Sequence, residues 1–248
     1  MDFVLCGIFI IFADWKCNVY CRFVMQELEV QHTDDGSATL FVPELDEHYH
    51  SVKGAYTEAL HIYRDCAYLY VAEQHDLGER PLRLLEIGFG TGLNAAVTAM
   101  VATAQRPVHY ITLEKYPVAP DLIGNLGYDK WVDAALFAAI HEAPWEQPTE
   151  ITPHFTLEKR CCDLLGTAIP EDVDVVYFDA FAPEKQPEMW SAEIFARIYR
   201  AMHLSGVLTT YCAKGAIRRL LQATGFTVER LAGPVGGKRE ILRAVKGE

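Results

Sequence analysis

The sequence lacks any pair of Cys-x-x-Cys clusters, although it contains seven cysteines. Their odd number argues against a framework of disulfide bonds, and the missing clusters exclude a zinc site of that type. Both features favour a protein of the reducing cytoplasm, and no metal site is expected. The adjacent Cys161 and Cys162 are predicted to be small, half-buried residues rather than a redox pair.

Long hydrophobic runs are also scarce. The apolar run over residues 4–13 ends at Asp14, whereas a membrane-spanning helix needs about 20 apolar residues. The run lacks the basic flank of a signal peptide, since Asp2 is its only neighbouring charge. Met25 opens a more ordinary sequence, so residues 1–24 are predicted to be an N-terminal extension without function and no membrane contact is expected. A membrane-associated N-terminus is the alternative.

Basic residues are few overall but are concentrated near the end of the chain. The net charge is −12. Residues 197–248 contain ten Lys or Arg and three acids, a local charge of +7, so residues 1–196 carry −19. This asymmetry is compatible with a basic footprint for an anionic partner or with solvated helix faces.

Strands and helices alternate from Pro81 onward, which predicts a mainly parallel sheet. A closing hairpin adds antiparallel strands at one edge. This α/β combination is the Rossmann-like layout of class I methyltransferases, with a seven-stranded sheet, although a plain dinucleotide-binding sheet shares the periodicity. Residues 25–80 are predicted to form a small hairpin and a helix, Ala55–Gln74, that pack on the core domain, 81–248. The predicted strands are Leu82–Ile87, Val108–Leu113, Phe155–Leu157, Val173–Phe178, Val207–Tyr211, Phe226–Leu231 and Glu240–Val245, and the predicted helices are Leu93–Ala104, a helix capped by Ser191 that runs to Met202, and Ala216–Thr224.

A glycine turn follows the first of these strands. Gly88, Gly90 and Gly92 precede a helix start, and glycine lets a backbone turn tightly and approach a ligand closely. The spacing is G-x-G-x-G rather than the G-x-G-x-x-G of dinucleotide sites. The turn, together with Phe89 and Asn94, is therefore predicted to bind a nucleoside cofactor, with a core role for Phe89 as the alternative.

Four successive strands of the predicted sheet end in carboxylates, at Glu86, Glu114, Asp163 and Asp179. Glu86 would repel a pyrophosphate and attract a cationic sulfonium ligand that carries an α-amino group. Glu114 lies 26 residues after Gly88, close to the spacing at which an acid meets a ribose diol. An acid at position 163 can accept a hydrogen bond from the adenine amino group. The four acids together favour S-adenosylmethionine over NAD.

The segment 179–190, DAFAPEKQPEMW, resembles the signature D-[GA]-F-A-P-x-x-x-P-x-M-W of one family. That family is the methyltransferase half of the bifunctional tRNA wobble-uridine protein MnmC, with its stand-alone relatives, sometimes called MnmD. The resemblance extends to Glu86–Asn94, to Glu114-Lys115, to an upstream block Y-x-S-x-x-G-x-x-x-E that ends at Glu58, and to the residues 237–240, GKRE.

The resemblance implies S-adenosylmethionine-dependent methylation of an aminomethyl group on the wobble uridine of tRNA, with Lys115 at the cofactor site and Asp179 as the essential acid. The family usually has Gly where Cys162 stands, which affects the expected fit around adenine. The FAD-binding half is expected to be absent, because the sequence ends after the methyltransferase sheet, so FAD is not an expected cofactor. Upstream tRNA-modifying enzymes would then supply the aminomethyl substrate.

The substrate is expected to meet the loop after Asp179 and a set of cations. Asp179 is predicted mainly to position the amine, because an exposed Asp with a pKa of about 3.9 is a poor base for an ammonium. Phe181 offers a face for stacking the extruded base or packs beneath its loop. The candidate contacts to the tRNA backbone are Lys185, Arg218, Arg219, Lys238 and Arg239.

Three other readings fit parts of the sequence. An aminopropyltransferase or small-amine N-methyltransferase would suit the acidic body of the protein but would leave the basic C-terminal part unexplained. A catalytically silent binding module is disfavoured by the intact Asp179 and glycine turn. An NAD oxidoreductase is disfavoured by the glycine spacing and by Glu86.

Overall fold

The computed structural model describes residues 28–74, 78 and 80–247. The predicted N-terminal extension, residues 1–24, lies outside these described residues.

The described part of the chain opens with a small antiparallel sheet of β1 (Glu29–His32), β2 (Ala38–Val42) and β3 (Glu47–His48). The hairpin of β1 and β2 was predicted, and the short β3 was not. Asp35 fixes their turn, because it accepts hydrogen bonds from the hydroxyls of Thr33, Ser37 and Thr57 at 2.6–2.8 Å. Burial raises the pKa of Asp35, but its hydrogen bonds from Ser37, Thr57 and Thr33 outweigh burial and lower the pKa to about 2.

A helix follows and packs on the main sheet. It consists of α1 (Ala55–Glu58), a π-helical stretch (Ala59–Leu69) and α2 (Tyr70–Gln74), which confirms the predicted helix. In a π-helix the backbone hydrogen bonds join residues five positions apart, so the helix is wider than an α-helix. Glu58 and Tyr63, five positions apart, both reach the candidate site described below.

The main sheet has eight strands in the order β10-β11-β9-β8-β4-β5-β7-β6. Strands β4, β5, β7, β8 and β9 run parallel, and β10 and β11 form the predicted antiparallel hairpin. The predicted number of seven strands is wrong by one, because β6 adds an antiparallel edge to β7. The strand bounds are β4 Leu82–Ile87, β5 Val108–Glu114, β6 Pro148–Thr152, β7 Phe155–Cys161, β8 Val173–Phe178, β9 Met202–Thr210, β10 Phe226–Ala232 and β11 Glu240–Lys246.

Helices cover both faces of this sheet. They are α3 (Leu93–Ala99), α4 (Pro120–Gly124), α5 (Ala134–Glu142), α6 (Ala192–Ala201) and α7 (Gly215–Thr224). The predicted end of α3 at Ala104 is wrong, and α4 and α5 were not predicted. Among the described residues, no helix combines the length and apolarity that crossing a bilayer requires.

Successive residues of the central strands enter cores on opposite faces of the sheet, as strand geometry requires. Leu84 and Tyr177 belong to the core beneath the N-terminal helix and α3, and Leu85 and Phe178 belong to the core beneath α6 and α7. All four side chains are fully buried. This two-sided core explains why most residues of β4 and β8 are apolar.

The register of the parallel strands brings their carboxyl ends to one level. Ile87 at the end of β4 pairs with Leu113 on β5 and with Phe178 on β8. Glu114 and Asp179, which come next along the chain, therefore lie at the same edge of the sheet on either side of the end of β4. In open α/β folds this edge is where ligands bind.

Candidate active site

In the turn between β4 and α3, the positions of Gly88 and Gly90 leave no room for a side chain. Gly88 and Gly90 both have positive φ values, 90° and 51°. A Cβ atom on Gly88 would lie 3.0 Å from the carbonyl oxygen of Asp179, and one on Gly90 would lie 2.9 Å from the Tyr49 ring. Close approach and backbone conformation together explain the glycines.

A first cavity opens beside this turn at the carboxyl edge of the sheet. Glu114 on its wall accepts hydrogen bonds from the backbone N–H groups of Gly90 at 3.0 Å and Tyr116 at 2.7 Å. These bonds fix the carboxylate while leaving lone pairs for a ligand. Of the predicted cofactor-binding residues, the wall includes Gly88, Phe89, Gly90, Glu114, Lys115 and Asp163.

Asp163 and Lys115 form an ion pair on the far wall, with Nζ 2.8 Å from Oδ2. Burial raises the pKa of Asp163, but the bond from Lys115 and a backbone N–H from Leu165 outweigh it and lower the pKa below its ordinary value. Asp163 is therefore ionised at neutral pH. Cys162, the departure from the family pattern, also lines this wall and is half-buried.

Three predicted cofactor-binding residues do not reach the cavity wall. Glu86 lies fully buried under the turn, where burial raises its pKa well above the ordinary value. Gly92 begins α3 in a left-handed conformation. Asn94 is also buried and turns its amide toward Asp179. The expectation that Glu86 and Asn94 face the cofactor directly is corrected, because β4 is a central strand whose end is covered by the turn itself.

Asp179 ends β8 and receives two hydrogen bonds on its carboxylate. The Tyr63 hydroxyl donates to Oδ1 at 2.5 Å, and Asn94 Nδ2 donates to Oδ2 at 2.8 Å. Burial and the negative charge of Glu58 raise the pKa of Asp179 to about 7, against the opposing effects of these two bonds and of Lys238. The premise of an exposed Asp with an ordinary pKa is therefore wrong, and Asp179 exchanges protons near neutrality.

A second cavity lies on the other side of Asp179, toward the N-terminal sheet and helix. Five residues line both cavities: Tyr49, His50, Asp179, Ala180 and Phe181. The Asp179 carboxylate thus lies between two cavities, and each cavity can hold one of two reactants.

Glu58 and Lys238 face each other on the wall of the second cavity. Lys238 Nζ lies 2.5 Å from Glu58 Oε2 and 4.6 Å from the centre of the Tyr211 ring. The Glu58 carboxylate also accepts a backbone N–H from Ser51 at 3.1 Å and is only 3% exposed. Lys238 was predicted to contact the tRNA backbone, but its ammonium pairs inside the site. Sequence reasoning assigned no role to Glu58, although the family block that ends there was a usable signal.

His50 is a second site residue that the sequence did not reveal. Its Nε2 lies 2.8 Å from Thr91 Oγ1 in the glycine turn, so it connects the N-terminal segment to that turn. Burial lowers the pKa of His50 to about 4, which makes the ring neutral at physiological pH.

Aromatic residues from three segments hold the loop after Asp179. Phe181 packs edge-on against Tyr49, with ring centres 5.1 Å apart. Trp190 Nε1 donates to the Phe181 carbonyl at 2.8 Å, and the Tyr211 hydroxyl donates to the Ala180 carbonyl at 2.9 Å. Phe181 therefore both lines the cavities and packs against Tyr49 of the N-terminal segment.

The remaining predicted substrate contacts lie outside the two cavities. Lys185 stands 3.8 Å from Asp46. Arg239 lines a shallow groove next to the second cavity, together with Lys214 and Lys238. Arg218 and Arg219 lie on α7 and line none of these spaces. Within the described ranges, no group of three or more His, Cys, Asp or Glu side chains could hold a metal ion.

Comparison with known sequences finds similarity to methyltransferases. The sequence model of a family described as S-adenosyl-L-methionine-dependent methyltransferase matches residues 132–247. The tRNA 5-methylaminomethyl-2-thiouridine biosynthesis bifunctional protein MnmC of Pseudomonas fluorescens Pf-5 is 31% identical over 225 residues, 80% of this chain and 32% of that protein. MnmC of Cupriavidus metallidurans is 28% identical, over 89% of this chain and 34% of that protein. This chain thus spans about a third of the length of the curated relatives it matches.

Comparison with solved structures supports the fold. MnmC2 of Aquifex aeolicus has a TM-score of 0.67 at 24% identity, covering 89% of this chain and 71% of that one. Spermidine synthase of Thermotoga maritima has a TM-score of 0.58 at 14% identity, covering 90% and 70%. At these identities the likeness concerns the fold, which is the predicted class I methyltransferase fold.

Proposed function

Because residues 132–247 match the sequence model of S-adenosyl-L-methionine-dependent methyltransferases and the chain is 31% identical to an MnmC protein over 225 residues, we propose that it N-methylates the 5-aminomethyl group of wobble uridine in tRNA. The product is 5-methylaminomethyl-(2-thio)uridine. One observation carries the proposal: Asp179 stands between a cavity suited to the methyl donor and a cavity suited to the amine.

The first cavity has the chemistry that S-adenosylmethionine requires. Among the described residues on its wall, the acids are Glu114, Asp163, Asp179 and Glu188, and the only Lys or Arg is Lys115, which pairs with Asp163. A net negative wall favours a cationic sulfonium over a pyrophosphate. Glu114, fixed by Gly90, is the candidate partner of the ribose hydroxyls, and the Asp163 region is the candidate adenine site.

The second cavity supports an amine substrate. When bound, S-adenosylmethionine supplies an electrophilic methyl group on a positively charged sulfur. A protonated amine cannot attack it, and Asp179 is placed to hold the ammonium and to accept one of its protons. An alkylamine such as Lys has a pKa of about 10.4 and an ordinary Asp about 3.9. The pKa of about 7 at Asp179 therefore makes this proton transfer much less uphill than it would be to an ordinary Asp.

The loop that carries Phe181 and the neighbouring basic groove fit the remainder of a tRNA substrate. Phe181 lines both cavities and offers a face to an extruded base. Arg239, Lys214 and Lys238 line the groove, where Lys214 pairs with Glu184 and Lys238 with Glu58. Lys185, Arg218 and Arg219 remain candidate contacts to the phosphates beyond it. A cytoplasmic location, and other tRNA-modifying enzymes that supply the aminomethyl group, are parts of the same proposal.

Transfer of a methyl or aminopropyl group to a small amine is the second candidate, and the charge of −19 over residues 1–196 favours it. Mass spectrometry of wobble nucleosides separates the two. We expect the purified protein, given S-adenosylmethionine and tRNA with aminomethyluridine, to make methylaminomethyluridine, and tRNA without the aminomethyl group to stay unchanged. Methyl transfer from S-adenosylmethionine, or aminopropyl transfer from its decarboxylated form, to putrescine or spermidine without any tRNA product would replace the proposal with its rival.

A further inference from the structure

The ion pair of Glu58 and Lys238 lies inside the substrate cavity rather than on the surface. Glu58 is 3% exposed and Lys238 about a third exposed, and their charged atoms are 2.5 Å apart. Taking two charges out of water costs free energy, so a gain in stability alone does not account for an ion pair in this position. This pair brings the N-terminal helix and the β10–β11 loop together over a separation of 180 residues.

The two charges act on Asp179 with opposite signs. Glu58 raises the pKa of Asp179 and Lys238 lowers it. Neither contacts the Asp179 carboxylate, which is hydrogen-bonded to Tyr63 and Asn94. The titratable groups that face Asp179 are Glu58 and Tyr63 from the N-terminal helix, Glu86 from β4, Tyr110 from β5, Tyr211 after β9, Lys238 from the β10–β11 loop, and His50, which shares both cavity walls.

Most of these neighbours do not change charge near neutral pH. Burial raises the pKa values of Tyr63, Tyr110 and Tyr211 above the ordinary range. Burial lowers that of His50 to about 4, so this ring stays neutral. Burial also raises the pKa of Glu86 well above its ordinary value, which favours its neutral form. The Glu58 carboxylate and the Lys238 ammonium are therefore the charges that act on Asp179 most directly.

We infer that Glu58 and Lys238 are positioning residues that form an ion pair, whose charges act on Asp179 with opposite signs and set how readily Asp179 takes a proton from the substrate amine. This inference rests on the proposed function, because the ion pair would control the proton transfer from the substrate ammonium to Asp179. An ammonium that enters the cavity gives one N–H proton to an Asp179 oxygen, and the freed nitrogen lone pair forms the new N–C bond as the C–S bond breaks. The electron pair of that bond stays on sulfur, and the methylated nitrogen carries the positive charge away.

Direct titration of Asp179 in the protein without tRNA tests this inference. The Asp carboxyl carbons are labelled with ¹³C, and the Asp179 signal is assigned by its loss in Asp179→Asn. Glu58→Gln keeps the hydrogen-bonding shape but removes the negative charge, so we expect the midpoint of Asp179 to fall by about one pH unit. Lys238→Met removes the positive charge, so we expect the midpoint of Asp179 to rise, by less than it falls in Glu58→Gln because Lys238 has the weaker effect on Asp179. The double variant should return toward the wild-type midpoint.

Glu229→Gln is the matched control, because Glu229 pairs with Arg243 at 2.6 Å on β10 and lines neither cavity. The titration midpoint of Asp179 in Glu229→Gln should equal that in the wild type. Single variants that shift in the same direction, or not at all, would overturn the inference. If Glu58→Gln does not fold, Lys238→Met decides alone, since an upward shift supports the inference and an unchanged midpoint overturns it.

Turnover of aminomethyl-tRNA provides the second arm. The pH at which kcat is half-maximal should move in the same direction as the titration midpoint in each variant. Shifted midpoints without any methylation of tRNA would reject the proposed substrate and leave the charge pair established. Methylation with unmoved midpoints would reject the charge pair and leave the substrate established.

Discussion

At the scale of one residue, the surroundings of Asp179 change its pKa to about 7. Its carboxylate is held by Tyr63 and Asn94 and is half-buried between two cavities. We expect Asp179→Asn to lower methyl transfer by about 10²–10⁴-fold, the range for loss of a general base, with little change in S-adenosylmethionine affinity. The control is Asp121→Asn, a change in the first turn of α4. Near-normal turnover of Asp179→Asn would remove this residue from the mechanism.

The pH dependence of turnover follows from the same side chain. The base must be ionised, and its pKa lies at about 7, so kcat should rise as the pH increases from 6 to 8. Because the folded protein raises this pKa above the unfolded value, ionisation of Asp179 costs stability above about pH 4. Asp179→Asn is therefore expected to raise Tm at pH 8. A pH-independent kcat, or a lower Tm for the variant, would contradict this account.

At the scale of elements, the Asp35 turn links the N-terminal sheet to the helix that carries Glu58 and Tyr63. Asp35→Ala should lower the free energy of unfolding by about 1–3 kcal/mol at pH 7, because buried donors lose their partner. The lowered pKa of Asp35 means that this stabilisation is present above pH 4 and is lost as pH falls toward 2. Urea denaturation at pH 7 and pH 2.5 measures both effects.

The control is Asp34→Ala, which removes an exposed ion pair with Lys53. This variant should lower the free energy of unfolding by less than about 1 kcal/mol. Equal losses in the two variants would refute the role of the turn.

The glycine turn is the second element that can be tested. Gly90→Ala would put a Cβ atom 2.9 Å from the Tyr49 ring at a φ of 51°, so the turn or the ring must move. Because the Gly90 N–H also fixes Glu114, we expect S-adenosylmethionine to bind at least about tenfold more weakly, a loss on the scale of one net hydrogen bond. Gly124→Ala is the control, since nothing lies within 4 Å of its added Cβ. Calorimetric titration compares the two, and equal affinities would contradict this role of the turn.

At the scale of the whole molecule, the basic C-terminal part is the candidate footprint for tRNA on an otherwise acidic protein. We expect Arg218→Ala/Arg219→Ala to weaken tRNA binding and to reduce the slope of log K against log salt by about one or two. Lys53→Ala, in a solvent-exposed pair with Asp34, should leave the slope unchanged. An unaltered slope in the arginine variant would remove these two residues from the footprint.

Local patterns predicted much of the fold and the first cavity. The bounds of β4 and β8 were exact because both strands are buried on two faces, and the glycine turn and strand-end acids follow them directly. The edge strand β6, with its polar sequence PTEIT, carries a weak pattern. Helix α5 could have been found from its N-cap, since Asp133 accepts from the Leu136 N–H.

The second cavity could not be predicted from local patterns. Glu58 and Lys238 lie 180 residues apart in sequence, and only packing of the N-terminal helix against the sheet brings them together. The burial that raises the pKa of Asp179 likewise depends on Tyr63 and on neighbours from several elements. Residue type and strand position therefore predicted Asp179 as the candidate acid, but they did not predict its raised pKa.

A crystal structure with S-adenosylhomocysteine and a short RNA that carries aminomethyluridine tests the central claim most directly. We expect the cofactor product in the first cavity, with its sulfur facing Asp179, and the aminomethyl nitrogen in the second cavity within hydrogen-bond distance of the Asp179 carboxylate. A cofactor bound elsewhere, or an amine that approaches without contacting Asp179, would contradict the account.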